Sequence, residues 1–197
     1  MANKKYEITD IAHPGLPHLK RIRALVAIAG VVASGELGGY VESENNLSAI
    51  GDSWISGNAK ISGNAKIYGN AVISGDARVS GNAVISGNAK IYGDAEIYGD
   101  AEIYGDAVIS GGDSCLWISR IGSRNDTLTA FCSENWIIFT TGCFIGDEAT
   151  LRAAVAETHG KSQIAKEYKL AIDLCVLRLS GPQSKIAKKL KRIKKEG

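Results

Sequence analysis

Several side chains in this sequence are of types that could do chemistry. Glu36, Glu42, Glu44 and Asp52 lie close together, and paired carboxyls can act as general acid and general base when their surroundings separate their pKa values. Here the neighbours are mostly Gly, Ser and Asn, so the stretch reads as a solvated loop with no pKa-shifting environment. Cys143 and His159 are the residue types of a nucleophile pair. Their positions, near a strand end and at a helix end, fit a structural thiol and an imidazole that interacts with the helix dipole. Asn58, Asp76 and Asp94 recur at one interval and could offer oxygen ligands to a cation, but sharp bends already demand these residue types. Cys115, Cys132, Cys143 and Cys175 form no C-x-x-C pair and have no histidine at metal-ligand spacing, which predicts reduced, mostly buried thiols. No catalytic residue, metal or other cofactor is expected.

Charge is unevenly placed. Residues 185–197 hold seven of the 23 basic side chains and one of the 21 acids, so they carry +6 and the rest −4. Lys185, Lys188, Lys189, Lys191, Arg192, Lys194 and Lys195, with Ile186, Leu190 and Ile193 on one side, describe a basic amphipathic helix after the Gly181-Pro182 break. Such a helix could neutralise phosphates, enter a protein groove or lie on a membrane surface. An acidic body and a tail without aromatics argue against nucleic acid as the main partner. Tyr92, Tyr98 and Tyr104 could form a binding girdle, although tyrosine also suits an outward strand position in its own right.

The element that must position most of these residues is a repeat. From Ile55 to Val108 the chain reads as nine unbroken hexads of the form [Ile/Val]-x-Gly-[Asn/Asp]-Ala-x, with degenerate copies at 49–54 and 109–114. Alternation puts Ala59 and Ile61 on one face and Lys60 and Ser62 on the other. Gly and Asn or Asp then bend the chain sharply. Apolar spacing of six misses the helical period, so short strands with corners remain.

The flanks do not repeat. Tyr6–Thr9 and Leu19–Leu25 read as strands and Ala33–Tyr40 as turns, within an N-terminal cap over residues 1–48 that protects the open end of the stack. After the repeat (49–114), a small α+β element (115–181) is expected. Its meander comprises Leu116–Ile121, Thr127–Cys132 and Trp136–Thr140, followed by a helix capped by Asp147 and ended by Gly160. A second helix capped by Ser162 carries Ile164, Tyr168, Ile172, Cys175 and Leu179 at helical spacing. The basic tail occupies 182–197.

The hexad unit resembles the hexapeptide-repeat family of left-handed β-helices, in which three hexads make a triangular coil. That resemblance implies a mainly β protein, a left-handed parallel β-helix of about 3.5 coils, with a β-rich cap and the small α+β end. Tyr6-Glu7-Ile8-Thr9, Arg21-Ile22-Arg23-Ala24-Leu25 and Gly35–Ser43, with Gly142-Cys143-Phe144, Thr158-His159-Gly160 and Glu167-Tyr168, look like a family of phage and prophage proteins of the same layout. The resemblance implies a homo-oligomer, a trimer first of all, and a protein partner in a host. Many hexapeptide β-helices are acyltransferases with a coil histidine as base, but His13, His18 and His159 all lie outside the repeat.

Placing the hexads on three sides makes the column Trp54, Val72, Lys90 and Val108, with Tyr92 beside it, the most apolar exterior. It is expected to be covered by another subunit or by the C-terminal segment. No apolar run reaches the ~18–20 residues that span a bilayer, and the first residues lack a secretory pattern, so a cytoplasmic protein is expected. The function expected is non-enzymatic: an oligomeric binding or assembly protein. A nucleic-acid binder acting through the tail is the first alternative, and an acyltransferase-like enzyme the second.

Overall fold

Two-residue strands between glycine bends cannot be stable singly, and the computed structural model, which describes residues 5–111, 114–133 and 136–180, shows how they support one another. The chain divides into two compact units, Met1–Asp106 and a second beginning at Ala107.

The first unit opens with β1 (Tyr6–His13), β2 (Leu16–Ala24) and β3 (Leu37–Val41), which pair antiparallel in that order. A 3-10 turn, Glu44–Asn46, follows. The hexads supply β4 (Trp54–Ile55), β5 (Lys60–Ile61), β6 (Lys66–Ile67), β7 (Val72–Ile73), β8 (Arg78–Val79), β9 (Val84–Ile85), β10 (Lys90–Ile91), β11 (Glu96–Ile97) and β12 (Glu102–Ile103). Each pairs in parallel with the strand one coil away. The order β4-β7-β10 forms one side of a β-solenoid, β3-β5-β8-β11 a second and β6-β9-β12 a third. Ile55, Ile61, Ile73, Ile85 and Ile91 are 0 % exposed, as are the corner alanines from Ala59 to Ala101. Each such isoleucine contributes about 1.5–3 kcal/mol of burial.

The stack begins earlier than the regular hexads. Tyr40 pairs in parallel with Lys60, Val41 with Ile61, and Leu47 bridges to Ile67. This irregular first coil raises the solenoid to roughly four turns. The turn expected over Ala33–Tyr40 is corrected, because Leu37–Val41 is a strand. Its glycines serve close approach. A Cβ at Gly38 would stand 2.5 Å from the Ile55 carbonyl oxygen and 2.8 Å from the Trp54 ring, and one at Gly39 would stand 2.7 Å from the Ala59 carbonyl oxygen. Asn46, 0 % exposed, ties the turn to the next coil. Its amide nitrogen donates to the carbonyls of Gly63 and Ala65 at 3.0 Å each, and its oxygen accepts from the backbone N–H groups of Glu42 and Ser43 at 3.1 and 2.9 Å.

The second unit contains β13 (Val108–Ile109) and an antiparallel sheet of β14 (Cys115–Ile121), β15 (Asp126–Cys132), β16 (Ile137–Thr141) and β17 (Phe144–Asp147) in sequential order. The expected meander lacked β17, which is short and interrupted by Gly146. Asp147 caps α1 (Glu148–His159), its carboxylate accepting from the Thr150 N–H at 2.9 Å, and Gly160 ends that helix at φ 54°. Ser162 caps α2 (Gln163–Leu179). Ile121, Leu128, Phe139, Leu151, Tyr168, Ile172, Cys175 and Leu179 form the core between sheet and helices.

Candidate functional site

The residues with catalytic potential take structural positions. The Glu42 carboxylate accepts from the Gly63 N–H at 2.7 Å, fastening the first coil to the next, and Glu36 accepts from the Ala33 N–H at 3.0 Å. Cys143 is exposed in the turn between β16 and β17, while the His159 ring stacks on Tyr168 with centroids 5.9 Å apart. Burial pushes the Cys115 thiol far up and those of Cys132 and Cys175 up to about 11, which keeps all three protonated and poorly nucleophilic at neutral pH. Among the described residues, no three His, Cys, Asp or Glu side chains are grouped to hold a metal ion.

Lys5 looks more reactive than it is. It is buried, and desolvation lowers its ammonium to about 8. The ammonium donates to the carbonyls of Ser53 and Gly51 at 2.8 and 3.2 Å and meets the Ser53 hydroxyl at 3.1 Å, which makes it a clamp on the first coil. Nearby, the Tyr6 hydroxyl donates to the Leu47 carbonyl at 2.7 Å, and burial raises it to about 12. The depression beside Tyr6, lined by Glu44, Asn45, Leu47, Ser48 and Ala49, has a volume of about 170 Å³. Small-molecule pockets run from about 300 Å³ upward, so this depression is too small for one.

The sequence placed Trp54, Val72, Tyr92 and Val108 on a face to be covered. Trp54 is 1 % exposed, its ring lying against Gly38 of the chain's own cap. Val72 is half-buried and Tyr92 exposed, while Val108 belongs to the second unit and is half-buried there. Tyr92, Tyr98 and Tyr104 do not converge, because they follow β10, β11 and β12, which lie on three different sides. The tyrosine that shares a side with Tyr104 is Tyr68, and Ser86 between them is buried. Desolvation, then the charges of Glu102 and Tyr68, raise Tyr104 to about 12.

Two surfaces go beyond the sequence reading, which by counting hexads already placed Lys60, Arg78 and Glu96 in one column of the second side. On the second side, Arg21, Tyr40, Lys60, Arg78 and Glu96 stand opposite one another across five strands. The Arg21 guanidinium lies 4.7 Å over the Tyr40 ring, and the His13 ring meets that ring edge-on at 4.8 Å. Partial desolvation and the cations Lys60, Arg21 and Arg78 lower His13. Arg78 pairs with Glu96 at 3.2 Å, leaving the cationic end of the row toward the cap. Only the pairing of β2 and β3 onto the coils adds Arg21 and Tyr40 to the column that the hexads themselves stack.

The other surface is on α2. Leu170, Leu174 and Leu177 are 69 %, 46 % and 72 % exposed at the i, i+4, i+7 spacing of one helix face. The opposite stripe of Tyr168, Ile172, Cys175 and Leu179 is buried, as expected. That expectation absorbed the helical signal, so the second row of leucines went unread. The basic residues Lys185, Lys188, Lys189, Lys191, Arg192, Lys194 and Lys195 lie outside the described residues.

With the coils described, comparison with known proteins is informative about architecture. A family model described as the YdcK Beta solenoid repeat matches residues 65–81 and, overlapping them, 71–87. No curated protein matches the chain. Over its central coils the chain is therefore similar to a known β-solenoid repeat.

Proposed function

We propose that this chain is a non-catalytic, self-assembling binding protein whose solenoid is a rigid body and whose C-terminal unit engages a protein partner. The observation that carries this reading is the exposed row Leu170, Leu174 and Leu177 on α2. An apolar helix face of this kind is the recognition element of helix-in-groove binding, and the occupant that fits it is a protein presenting an apolar groove or a second amphipathic helix. The phage-type layout read from the sequence adds the setting: a phage-encoded cytoplasmic protein acting on a host protein.

The test compares the proteins retained by the intact chain with those retained by the variant Leu170→Gln/Leu174→Gln/Leu177→Gln. The substituted positions are largely exposed, so stability should change by no more than about 0.5 kcal/mol per site. Proteins held by the intact chain and lost by the folded variant support the proposal. Equal retention by both overturns it.

A second reading, nucleic-acid binding, draws on the row Arg21, Lys60 and Arg78 together with the basic tail. Fluorescence anisotropy with a single-stranded oligonucleotide distinguishes the two. Nucleic-acid binding requires an affinity that falls steeply with salt and a loss on Arg21→Gln/Lys60→Gln. The α2 variant should leave such binding unchanged.

A further inference from the structure

The third side of the solenoid carries two outward columns. Lys66, Val84 and Glu102 lie in register across β6, β9 and β12. Tyr68, Ser86 and Tyr104 follow those strands, their coils joined by the bonds from Tyr68 N–H to the Ile85 carbonyl at 3.1 Å and from Ser86 N–H to the Ile103 carbonyl at 2.9 Å. Turned upside down, the first column exchanges a cation for an anion about a valine, and the second exchanges tyrosine for tyrosine about a serine.

The corners on either edge of this side follow the same rule. The Asn64 amide donates to Asn82 at 3.0 Å, and Asn82 to Asp100 at 2.9 Å; on the other edge Asn70 donates to Asn88, and Asn88 to Asp106, both at 3.0 Å. Both edges thus run from amide to carboxylate. Inversion sets amide donors opposite carboxylate acceptors and no carboxylate opposite another.

We propose that this side docks on the same side of a second copy of the chain about a two-fold axis along β9, with the solenoid axes antiparallel. Each Lys66 then lies opposite the second copy's Glu102, each Tyr68 opposite its Tyr104, and Val84 opposite Val84. This is the reciprocal contact that a two-fold interface requires. The central patch is suited to it: Val84 is half-buried, Tyr68 is 41 % exposed, and the phenol rings supply apolar area with a polar rim.

The other two sides fail the same inversion. The second side would bring Arg78 against Arg78 and Asp76 against Asp76, and it continues into the cap sheet. On the first side Trp54 is buried and Lys90 would face no carboxylate in its column. A threefold with parallel axes, which the hexapeptide resemblance implies, would level Lys66 with Lys66 and Glu102 with Glu102, an arrangement without this attraction.

Three coils are only about 14 Å tall, and the patch is smaller than the ~800 Å² per partner of a standard interface, so the association should be reversible and concentration-dependent. The inference rests on the reading of the chain as self-assembling, but it does not involve α2. The variant lacking the three α2 leucines should therefore self-associate through this side as the intact chain does.

Sedimentation velocity on the full chain, into the high micromolar range, is the test. Lys66→Glu and Glu102→Lys should each weaken self-association about tenfold while leaving far-ultraviolet circular dichroism unchanged. An equimolar mixture of the two variants should recover it, because in the mixed pair the carboxylate introduced by one variant faces the ammonium introduced by the other, and the native Glu102 of the first faces the native Lys66 of the second. A monomeric intact chain, single variants that associate as the intact chain does, or a mixture no better than either variant alone would each overturn the proposal.

Discussion

Ile85 and Phe139 are both 0 % exposed, and they reach that state by different routes. Ile85 is buried because its pairing partners Ile67 and Ile103 occupy the same place one coil away. Every inward isoleucine of the stack has that reason, repeated. Phe139 is buried because α1 and α2, which follow it in sequence, close over the sheet in which β15 and β17 flank it, bringing Leu128, Leu151, Tyr168 and Ile172 into one cluster. In the solenoid, environment is a property of position within the hexad; in the second unit it is a property of the assembled layers. The same difference governs the surfaces. Outward solenoid residues form columns whose members can be read by counting, while the leucine row of α2 is exposed only because the sheet takes the helix's other stripe.

Breaking each kind of core sharpens this contrast. The largest effect is expected from Phe139→Ala, which removes the centre of a single cluster and should cost about 3–5 kcal/mol in chemical denaturation. A loss below about 1 kcal/mol, the size of an ordinary surface change, would mean that the cluster does not hold the second unit together.

Gly81→Ala tests the repeat. Gly81 has φ +73°, and a Cβ there would stand 2.7 Å from the Gly99 nitrogen, whereas Gly105, with φ +67°, has nothing within 4 Å of the same point. The left-handed backbone alone costs an alanine about 1–2 kcal/mol, so Gly105→Ala should lose that amount. Gly81→Ala should lose roughly 1–2 kcal/mol more, because backbone rather than a flexible side chain blocks its Cβ. Equal losses would show that the coils yield more readily than their close stacking implies.

The smallest effect concerns pH and the clamp at the base of the stack. Lys5 is held at about 8, below its usual 10.5, so the folded chain loses that proton before the unfolded chain does. Stability should rise between about pH 8 and 10.5, by on the order of 1 kcal/mol. Tyr6 and Tyr104, raised to about 12, act in the opposite sense. Their protonated forms favour the fold, and stability should fall as pH climbs from 10 toward 12. Thermal melts across this range should show a maximum, and Lys5→Met should flatten only the lower limb. A lower limb unchanged in that variant would exclude Lys5 as its source.

Much of the solenoid was legible because its physics is local and repeated. The Ile and Ala positions of each hexad, the bends at Gly-Asn and Gly-Asp, and the caps Asp147 and Ser162 follow from side-chain alternation, backbone freedom and short-range hydrogen bonding. The first coil was not legible in full. Leu37–Val41 carries glycines that mimic a turn, and their purpose is visible only against Trp54, Ile55 and Ala59. The continuation of the Lys60, Arg78 and Glu96 column to Tyr40 and Arg21 was hidden for a related reason, since antiparallel and parallel pairings had to meet at β3 before those two positions joined it.

By itself the sequence determined a stack of coils with aliphatic insides, capped at one end and followed by a sheet with helices, because each of these depends on residues a few positions apart. Only the tertiary structure decided which outward side the cap conceals, how the Lys60, Arg78 and Glu96 column continues through Tyr40 to Arg21, and which face of α2 stays uncovered. Those outcomes depend on contacts between segments tens of residues apart, and one-dimensional spacing carries no information about which surfaces such contacts remove from water.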